Sequence, residues 1–321
     1  MKNKKKAIFL LPYFGKLPNY FQLYLQSCKY NKDFDWLIIT DDLTRYEYPV
    51  NVKVVIRTFE EIRELIQSKF DFMISLDKPY KLCDFRPAYG YIFQKYITGY
   101  GFWGSVDPDC IWGDLNKYIT WDILDRFDKL FLLGHLTLYR NTMENNRIFM
   151  CPLNGVERFK EVFISPEGQQ FDEAEGNNSI NDIYSYYHIP VYEDKNRADV
   201  SPKFHCMRLS DYKGSNDVEQ IESGKYQFFE WTNGKLNCIS YTCLGIKKQM
   251  REHSYLHLHG ERKMMCEGNC LWDHFYISRN RFLEVKKQRI LFFHLSNYAD
   301  YILMLFRDKY RSYKNKGVLK C

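Results

Sequence analysis

No stretch of this chain approaches the roughly 18 consecutive apolar residues that a membrane-crossing helix requires, so a transmembrane protein is not expected. No G-x-x-x-x-G-K-[ST] segment is present, which argues against a P-loop nucleotide site. No C-x2-C pair is present either, and the ten cysteines follow no regular framework. Cys266 and Cys270, with His253, His257 and His259 nearby, are a poor zinc set for that reason. Reduced core thiols in a cytosolic protein are the expectation. A signal peptide is also unsupported. Lys2–Lys6 precede an apolar run at Ala7–Leu11, but Pro12 interrupts it and no small-residue cleavage site follows. There is no internal repeat.

Aromatic residues, in contrast, are abundant: 26 Tyr, 24 Phe and 6 Trp in 321 residues exclude a disordered or linker-like chain. The length suits one large domain or two small ones, with a sizeable core. The formal charge of +6 is concentrated at the ends. Four lysines lie in residues 1–6 and a net +5 lies in residues 307–321, which leaves the body, 7–306, at a net −3. A nucleic-acid binder carries its basic residues on the fold, so that class is set aside.

The apolar pattern alternates between strand and helix. Ala7–Leu11, Trp36–Thr40 and Val52–Ile56 read as strands buried on both faces. Residues 19–28 and a segment beginning at Thr58 read as helices, the latter with a Thr58-x-x-Glu61 capping box. Residues 81–98 look helical and lead into a strand at Phe102–Val106; Lys129–Leu133 is another strand. Residues 165–225 are polar and turn-rich and read as an irregular insertion. Gln227–Trp231 and Leu236–Tyr241 flank Asn233-Gly234, a hairpin signal. The expectation is an α/β domain with a largely parallel sheet. Its ligands would lie at the carboxyl ends of the strands, with Tyr13, Asp41 and Asp42.

Three segments carry residue types suited to chemistry. Asp107-Pro108-Asp109 ends a buried strand, and two hard oxygen donors so placed can hold Mg²⁺ or Mn²⁺ against a diphosphate, with a plain polar loop as the alternative. Phe102 and Trp103 beside two charges call for something to compensate them. Asp84 and Arg86, in Lys81–Arg86, are expected at a helix N-terminus facing the cleft, with a surface ion pair as the alternative. His257-Leu258-His259-Gly260-Glu261-Arg262-Lys263 supplies a third metal ligand and a diphosphate partner. Gly99–Gly104 spells G-x-G-x-x-G but precedes a strand, and Phe102 and Trp103 would block a pyrophosphate. The expected last helix, 286–314, is apolar and then basic. It would pack on the domain or lie in a membrane interface, with Arg307, Lys309, Arg311, Lys314 and Lys316 on anionic lipid.

Pro12–Gly15, Thr40–Asp42, Lys81–Pro87 and the Asp107–Asp114 block together resemble GT-A-type nucleotide-sugar glycosyltransferases of bacterial capsule and O-antigen clusters. The resemblance implies a single GT-A-like domain over 1–285, with a Rossmann-like, mostly parallel central sheet and small antiparallel additions. Within it, 7–120 would bind the nucleotide sugar and 121–285 the acceptor, leaving 286–321 as an amphipathic C-terminal helix and basic tail. Asp107, Asp109 and His257 would hold the metal, with His257 against His259 left open. Tyr13, Asp41, Asp42, Asp84, Arg86 and Lys263 would bind the nucleotide sugar, a UDP-sugar foremost. Asp172 and Glu173 are the candidate bases of an inverting reaction; a retaining one would need no such base.

The implied activity is transfer of a sugar to a saccharide or lipid-linked saccharide, in the cytoplasm or at the inner face of the membrane. A catalytically silent sugar- or nucleotide-binding module and a metal-dependent nucleotidyltransferase are the alternatives.

Overall fold

The structure is a computed structural model. It describes residues 5–173, 178–193, 195–200, 207, 209–211, 220–221, 226–242, 247–259, 264–278 and 280–286, with 299, 302, 303 and 306 near the C-terminus. The apolar runs form its centre. Strands β1 (Ala7–Tyr13), β2 (Phe34–Thr40), β3 (Val52–Ile56) and β4 (Phe102–Val106) lie parallel in the order β3-β2-β1-β4. Alternate residues of the first two strands enter opposite cores: Ile8, Leu10, Leu37 and Ile39 on one face, Ala7, Phe9, Trp36 and Ile38 on the other. Burial on both faces is why the β1 and β2 runs are continuously apolar, whereas β3, at the edge of the sheet, leaves Lys53 and Ile56 exposed and is not buried on both faces as expected.

Helix α1 (Phe21–Lys29) follows β1, and α2 (Phe59–Gln67) follows β3. Thr58 and Glu61 cap α2 reciprocally, as their spacing predicts. The helix expected over 81–98 is instead a chain of short turns that includes α3 (Leu82–Phe85) and a 3-10 turn at Arg86–Ala88. Pro87 has no amide hydrogen to continue the helical ladder.

After β4 the chain forms β5 (Cys110–Trp112), β6 (Lys129–Leu130), β7 (Leu136–Arg140) and β8 (Val191–Tyr192). The expected strand to Leu133 stops early because Phe131 adopts φ 68°. Strands β7, β6 and β8 extend the first sheet to seven strands, with β7 antiparallel to both β4 and β6. The result is a mixed α/β architecture with a large, mostly parallel sheet.

Next come β9 (Ala198–Val200), β10 (Leu209–Asp211), β11 (Gln220–Ile221), β12 (Tyr226–Thr232), β13 (Lys235–Thr242), β14 (Lys247–His253), β15 (Tyr255–His257), β16 (His274–Ser278) and β17 (Arg281–Glu284). Among the described residues they build two five-stranded sheets, β11-β10-β9-β15-β5 and the antiparallel β14-β13-β12-β16-β17. Asn233 and Gly234, at φ 47° and 85°, make the hairpin their sequence signalled. The described residues of the 165–225 region include regular elements that the reading as an irregular insertion did not predict. A helix at Ile180–Tyr186 starts on a Ser179/Asp182 capping box, and β8 to β11 follow.

Two expectations about the thiols and the basic ends change. Cys266 and Cys270 are joined by a disulfide, whereas Cys28 and Cys110 are free and buried. The Cys266–Cys270 turn, with Gly268 and Cys270 both at positive φ, brings that pair together. Lys6 is not part of a free basic tail: its buried ammonium donates to Asn116 Oδ1 at 2.6 Å and to the Ile119 carbonyl at 2.9 Å. Of the expected C-terminal helix, Ile302 packs against Phe228, Ile239 and Tyr276. The basic tail, 307–321, lies outside the described residues.

Candidate functional site

Asp107 and Asp109 stand where the chain leaves the seven-stranded sheet at the carboxyl end of β4 and enters the second sheet as β5. Two pairings converge on that corner. On one side β4 pairs with β7, Val106 opposite Leu136, and the Asp107 amide donates to the His135 carbonyl at 3.3 Å. On the other, β15 pairs with β5, His257 opposite Cys110, and the Leu258 amide donates to the Asp109 carbonyl at 3.0 Å. Strand β9 lies along the far side of β15 with Asp199 opposite His257. Backbone register alone therefore gathers Asp107, Asp109, His135, Asp199 and His257.

The side chains meet in two overlapping groups. Asp107, Asp109 and His257 bring one ligand atom each within 4.8 Å of one another, and His135, Asp199 and His257 do the same. His257 Nε2 is 3.6 Å from Asp109 Oδ1, and its Nδ1 donates to Asp199 Oδ1 at 3.0 Å. His259 Nε2 reaches the same Asp199 oxygen at 2.7 Å. Of the two histidines left open by the sequence, His257 faces the carboxylate pair and His259 faces Asp199. Asp109 is buried, and its Oδ1 has no hydrogen-bond partner among the described residues. A buried carboxylate oxygen left so is costly unless a cation meets it. Two carboxylates and an imidazole are a donor set suited to Mn²⁺ or Mg²⁺.

The electrostatics follow from this crowding. Burial raises the Asp109 pKa; His257 opposes the rise and Asp107 adds to it. Burial disfavours charge on His257, yet Asp109 and the hydrogen bond to Asp199 outweigh it and raise the imidazolium to about 9. Burial also opposes ionisation of Asp199, but hydrogen bonds from His257 and His259 hold it well below the ordinary carboxylate range. Burial, with His257 beside it, pushes His135 far down, so it is neutral.

Arg86 links this corner to a second one. Its Nη2 donates to Asp107 Oδ1, and its Nη1 donates to Asp172 Oδ2 at 2.9 Å. Glu173 Oε2 accepts from the Gly134 amide at 3.0 Å. A Cβ on Gly134 would lie 2.4 Å from Asp172 Oδ2 and 2.7 Å from Arg86 Nη1, so those side-chain ends would have to shift to admit one. Burial pushes Asp172 up to about 7; Arg86 opposes the rise, and Glu173 and Asp107 reinforce it.

The remaining predicted residues are placed as follows. Asp84 is directed away from Arg86. Its carboxylate accepts from Lys81 Nζ at 2.7 Å and from the Gln169 and Phe171 amides at 2.9 and 3.0 Å. It therefore anchors the loop that carries Asp172 and Glu173. Asp41 accepts from the Gly15 amide at 2.7 Å, and Asp42 from Leu17 and Thr44 at 2.9 Å each, tying β2 to the loop after β1. Tyr13 is half-buried, its hydroxyl pKa raised by burial and by nearby Asp109 and Asp42. Lys263 and Gly260 lie outside the described residues. Asp199, His135 and Gly134 were not anticipated. Their one sequence signal is a charge between apolar neighbours, Ala198-Asp199-Val200.

The model of a family of unknown function, DUF6625, matches residues 9–286. The chain belongs to that family. No curated protein matches this DUF6625 member. Among solved structures it is similar to the galactosyltransferase LgtC in complex with donor and acceptor sugar analogues. The identity is 11%, over 61% of this chain and 76% of that one, with a TM-score of 0.34. It is also similar to apo GlyE, a glycosyltransferase of Streptococcus pneumoniae TIGR4, at 9% identity, 60% and 46% coverage and a TM-score of 0.34. The DUF6625 chain spans about half the length of GlyE. At that level of likeness, activity and substrate have to come from the site's own chemistry.

Proposed function

We propose that this protein is a metal-dependent glycosyltransferase. It would move a sugar from a nucleotide sugar, a UDP-sugar foremost, to a saccharide or lipid-linked saccharide acceptor in bacterial capsule or O-antigen synthesis. The observation that supports this reading is the Asp107–Asp109–His257 group at the carboxyl end of β4, with Asp109 Oδ1 buried and unbonded among the described residues. A divalent cation held there by those three residues would neutralise the charge of a donor diphosphate.

The chain's own residues divide the rest of the work. Tyr13, Asp41 and Asp42 lie at the ends of β1 and β2, where ligands of such sheets bind, and are assigned to the nucleoside. Arg86 would offer its guanidinium to the departing diphosphate, together with Lys263. Asp172 and Glu173, at the other end of Arg86, are assigned to removing the acceptor hydroxyl's proton if the anomeric carbon is inverted. A carboxyl near pH 7 suits that task. Asp84 supports them by holding the Gln169–Phe171 backbone. No helix among the described residues is long and apolar enough to cross a membrane. We assign the enzyme to the cytoplasm, where the Cys266–Cys270 pair would be kept reduced, reaching a lipid-linked acceptor at the membrane's inner face through its basic C-terminal segment.

The test is turnover of UDP- and GDP-sugars with and without Mn²⁺, following nucleoside diphosphate release. Metal-dependent release that disappears in Asp109→Ala is expected. Activity untouched by that substitution would sink the proposal. Release of pyrophosphate instead would indicate a nucleotidyltransferase, and donor binding without turnover a silent module.

A further inference from the structure

We propose that Asp199 is the positioning residue of the cation site: it holds His257 with a proton on Nδ1, so that Nε2, once a cation takes the place of its own proton, presents its lone pair beside Asp107 and Asp109. This rests on the metal-dependent reading above and names the residue that makes His257 a competent ligand.

Asp199 lies in β9 between fully buried Ala198 and Val200 and is itself 3% exposed. A carboxylate in such surroundings costs several kcal/mol unless hydrogen-bonded charges or dipoles meet it. Three imidazoles are among the groups that meet it. Oδ1 accepts from His257 and His259, and Oδ2 faces His135 Nε2 at 3.9 Å. A carboxylate can only accept, so Nδ1 of His257 must be the donor. The register then does the aiming. With Asp199 on one neighbouring strand and Asp109–Cys110 on the other, the His257 ring spans β15 with Nδ1 toward one carboxylate and Nε2 toward the other. A metal-ligating histidine whose second nitrogen donates to a carboxylate has its tautomer and orientation fixed, and removing such a partner typically costs 10–100-fold in metal affinity.

Stacking removes the remaining freedom. The His257 ring lies between His135, with centroids 4.3 Å apart and 23° between planes, and His259, at 4.2 Å and 40°. The Tyr255 hydroxyl sits 2.9 Å from His135 Nδ1. With tyrosine as donor, neutral His135 carries its proton on Nε2, on the side of Asp199. His135 Nε2 has no hydrogen-bond partner among the described residues, so it stands in reserve as a third donor to that carboxylate. Nearly parallel rings do not converge their lone pairs on one ion. The His135–Asp199–His257 group is therefore assigned as support for the cation site and not as a second one.

The test is titration of the full-length protein with Mn²⁺ alone, reading free ion by electron paramagnetic resonance. It is joined by ¹⁵N spectra of the histidine rings with Mg²⁺ bound. Wild type should bind one Mn²⁺ and show His257 as a single Nδ1–H tautomer. Asp199→Asn should weaken Mn²⁺ binding 10–100-fold and mix the His257 tautomers, with the metal-free melting midpoint within a few degrees of wild type. Asp199→Ala should weaken it further; if that variant does not fold, the asparagine variant alone decides. A folded Asp199→Asn protein with wild-type affinity and tautomer overturns the inference, as does binding of two Mn²⁺ with the second lost in His135→Asn. Wild type that binds no Mn²⁺ at all overturns the metal-dependent reading itself, a distinguishable failure.

Discussion

Asp84 and Asp109 are the same residue at nearly the same depth, 2% and 6% exposed, yet their surroundings differ in kind. The Asp84 carboxylate is fully engaged by an ammonium and two backbone amides, all belonging to the segments it ties together. Asp109 has an oxygen with no bonded partner among the described residues, a carboxylate beside it in Asp107, and an imidazolium 3.6 Å away. Burial alone does not mark a functional carboxylate. What marks it is burial left uncompensated by the fold, because that cost persists only where something outside the fold meets it.

The largest expected effects separate the two. Asp84→Asn leaves the Lys81 ammonium without its carboxylate in a buried position, where breaking a pair costs roughly 3–5 kcal/mol. Equilibrium denaturation should show that loss, and the remaining folded fraction should retain Mn²⁺ binding. Asp109→Asn should do the reverse. Relief of a buried charge offsets the lost attraction to His257, so stability without metal should stay within about 1 kcal/mol of wild type. Turnover should fall on the order of 1,000-fold, the equivalent of several kcal/mol of lost charge stabilisation. If both variants lose stability alike, the comparison fails and Asp109 is another anchor.

This contrast was half legible in the sequence. Strands at Ala7–Leu11 and Trp36–Thr40, the Thr58–Glu61 cap and the Asn233-Gly234 hairpin are written in local periodicity and turn chemistry. Asp107-x-Asp109 at a strand end is written in the same way. The division of labour between Asp84 and Arg86 is not, because it depends on Pro87 breaking the helix and on a loop more than 80 residues away. Asp199 and His135 reach the site through pairings of three-residue strands and through the β4–β7 register, which no spacing records. Gly134 is legible only once three side chains are seen to converge on it.

Asp172 stands between the two extremes and sharpens the comparison through pH. It has a bonded partner in Arg86, yet burial and neighbouring acids raise its carboxyl to about 7. A raised folded value means that the folded state holds the proton where the unfolded chain, titrating near 4, has released it. The contribution of the protonated group is fully present below about pH 4 and is lost as pH rises through about 7. Wild type should therefore lose stability relative to Asp172→Asn between pH 4 and pH 7, on the order of a few kcal/mol, and the difference should level off above that. Denaturant midpoints of the two proteins at pH 5 and pH 8 measure it. A difference that does not change with pH would show that Asp172 behaves as a fully compensated carboxylate.

The smallest expected effect concerns the residue on which the second corner closes. Gly134→Ala adds one methyl group 2.4 Å from Asp172 Oδ2, 2.7 Å from Arg86 Nη1 and 3.1 Å from Glu173 Oε2. Three side-chain ends must give way together, and overpacking of that kind costs about 1–3 kcal/mol. The fold offers two directions of relief. If Arg86 keeps Asp107 and releases Asp172, metal affinity should hold and acceptor-dependent transfer should fall. If Arg86 releases Asp107, the cation pair loses its neighbouring positive charge, and Mn²⁺ should bind more tightly than in wild type. Mn²⁺ titration of Gly134→Ala beside its transfer rate distinguishes the two, and the first is expected, because Asp172 lies directly in the path of the new methyl group.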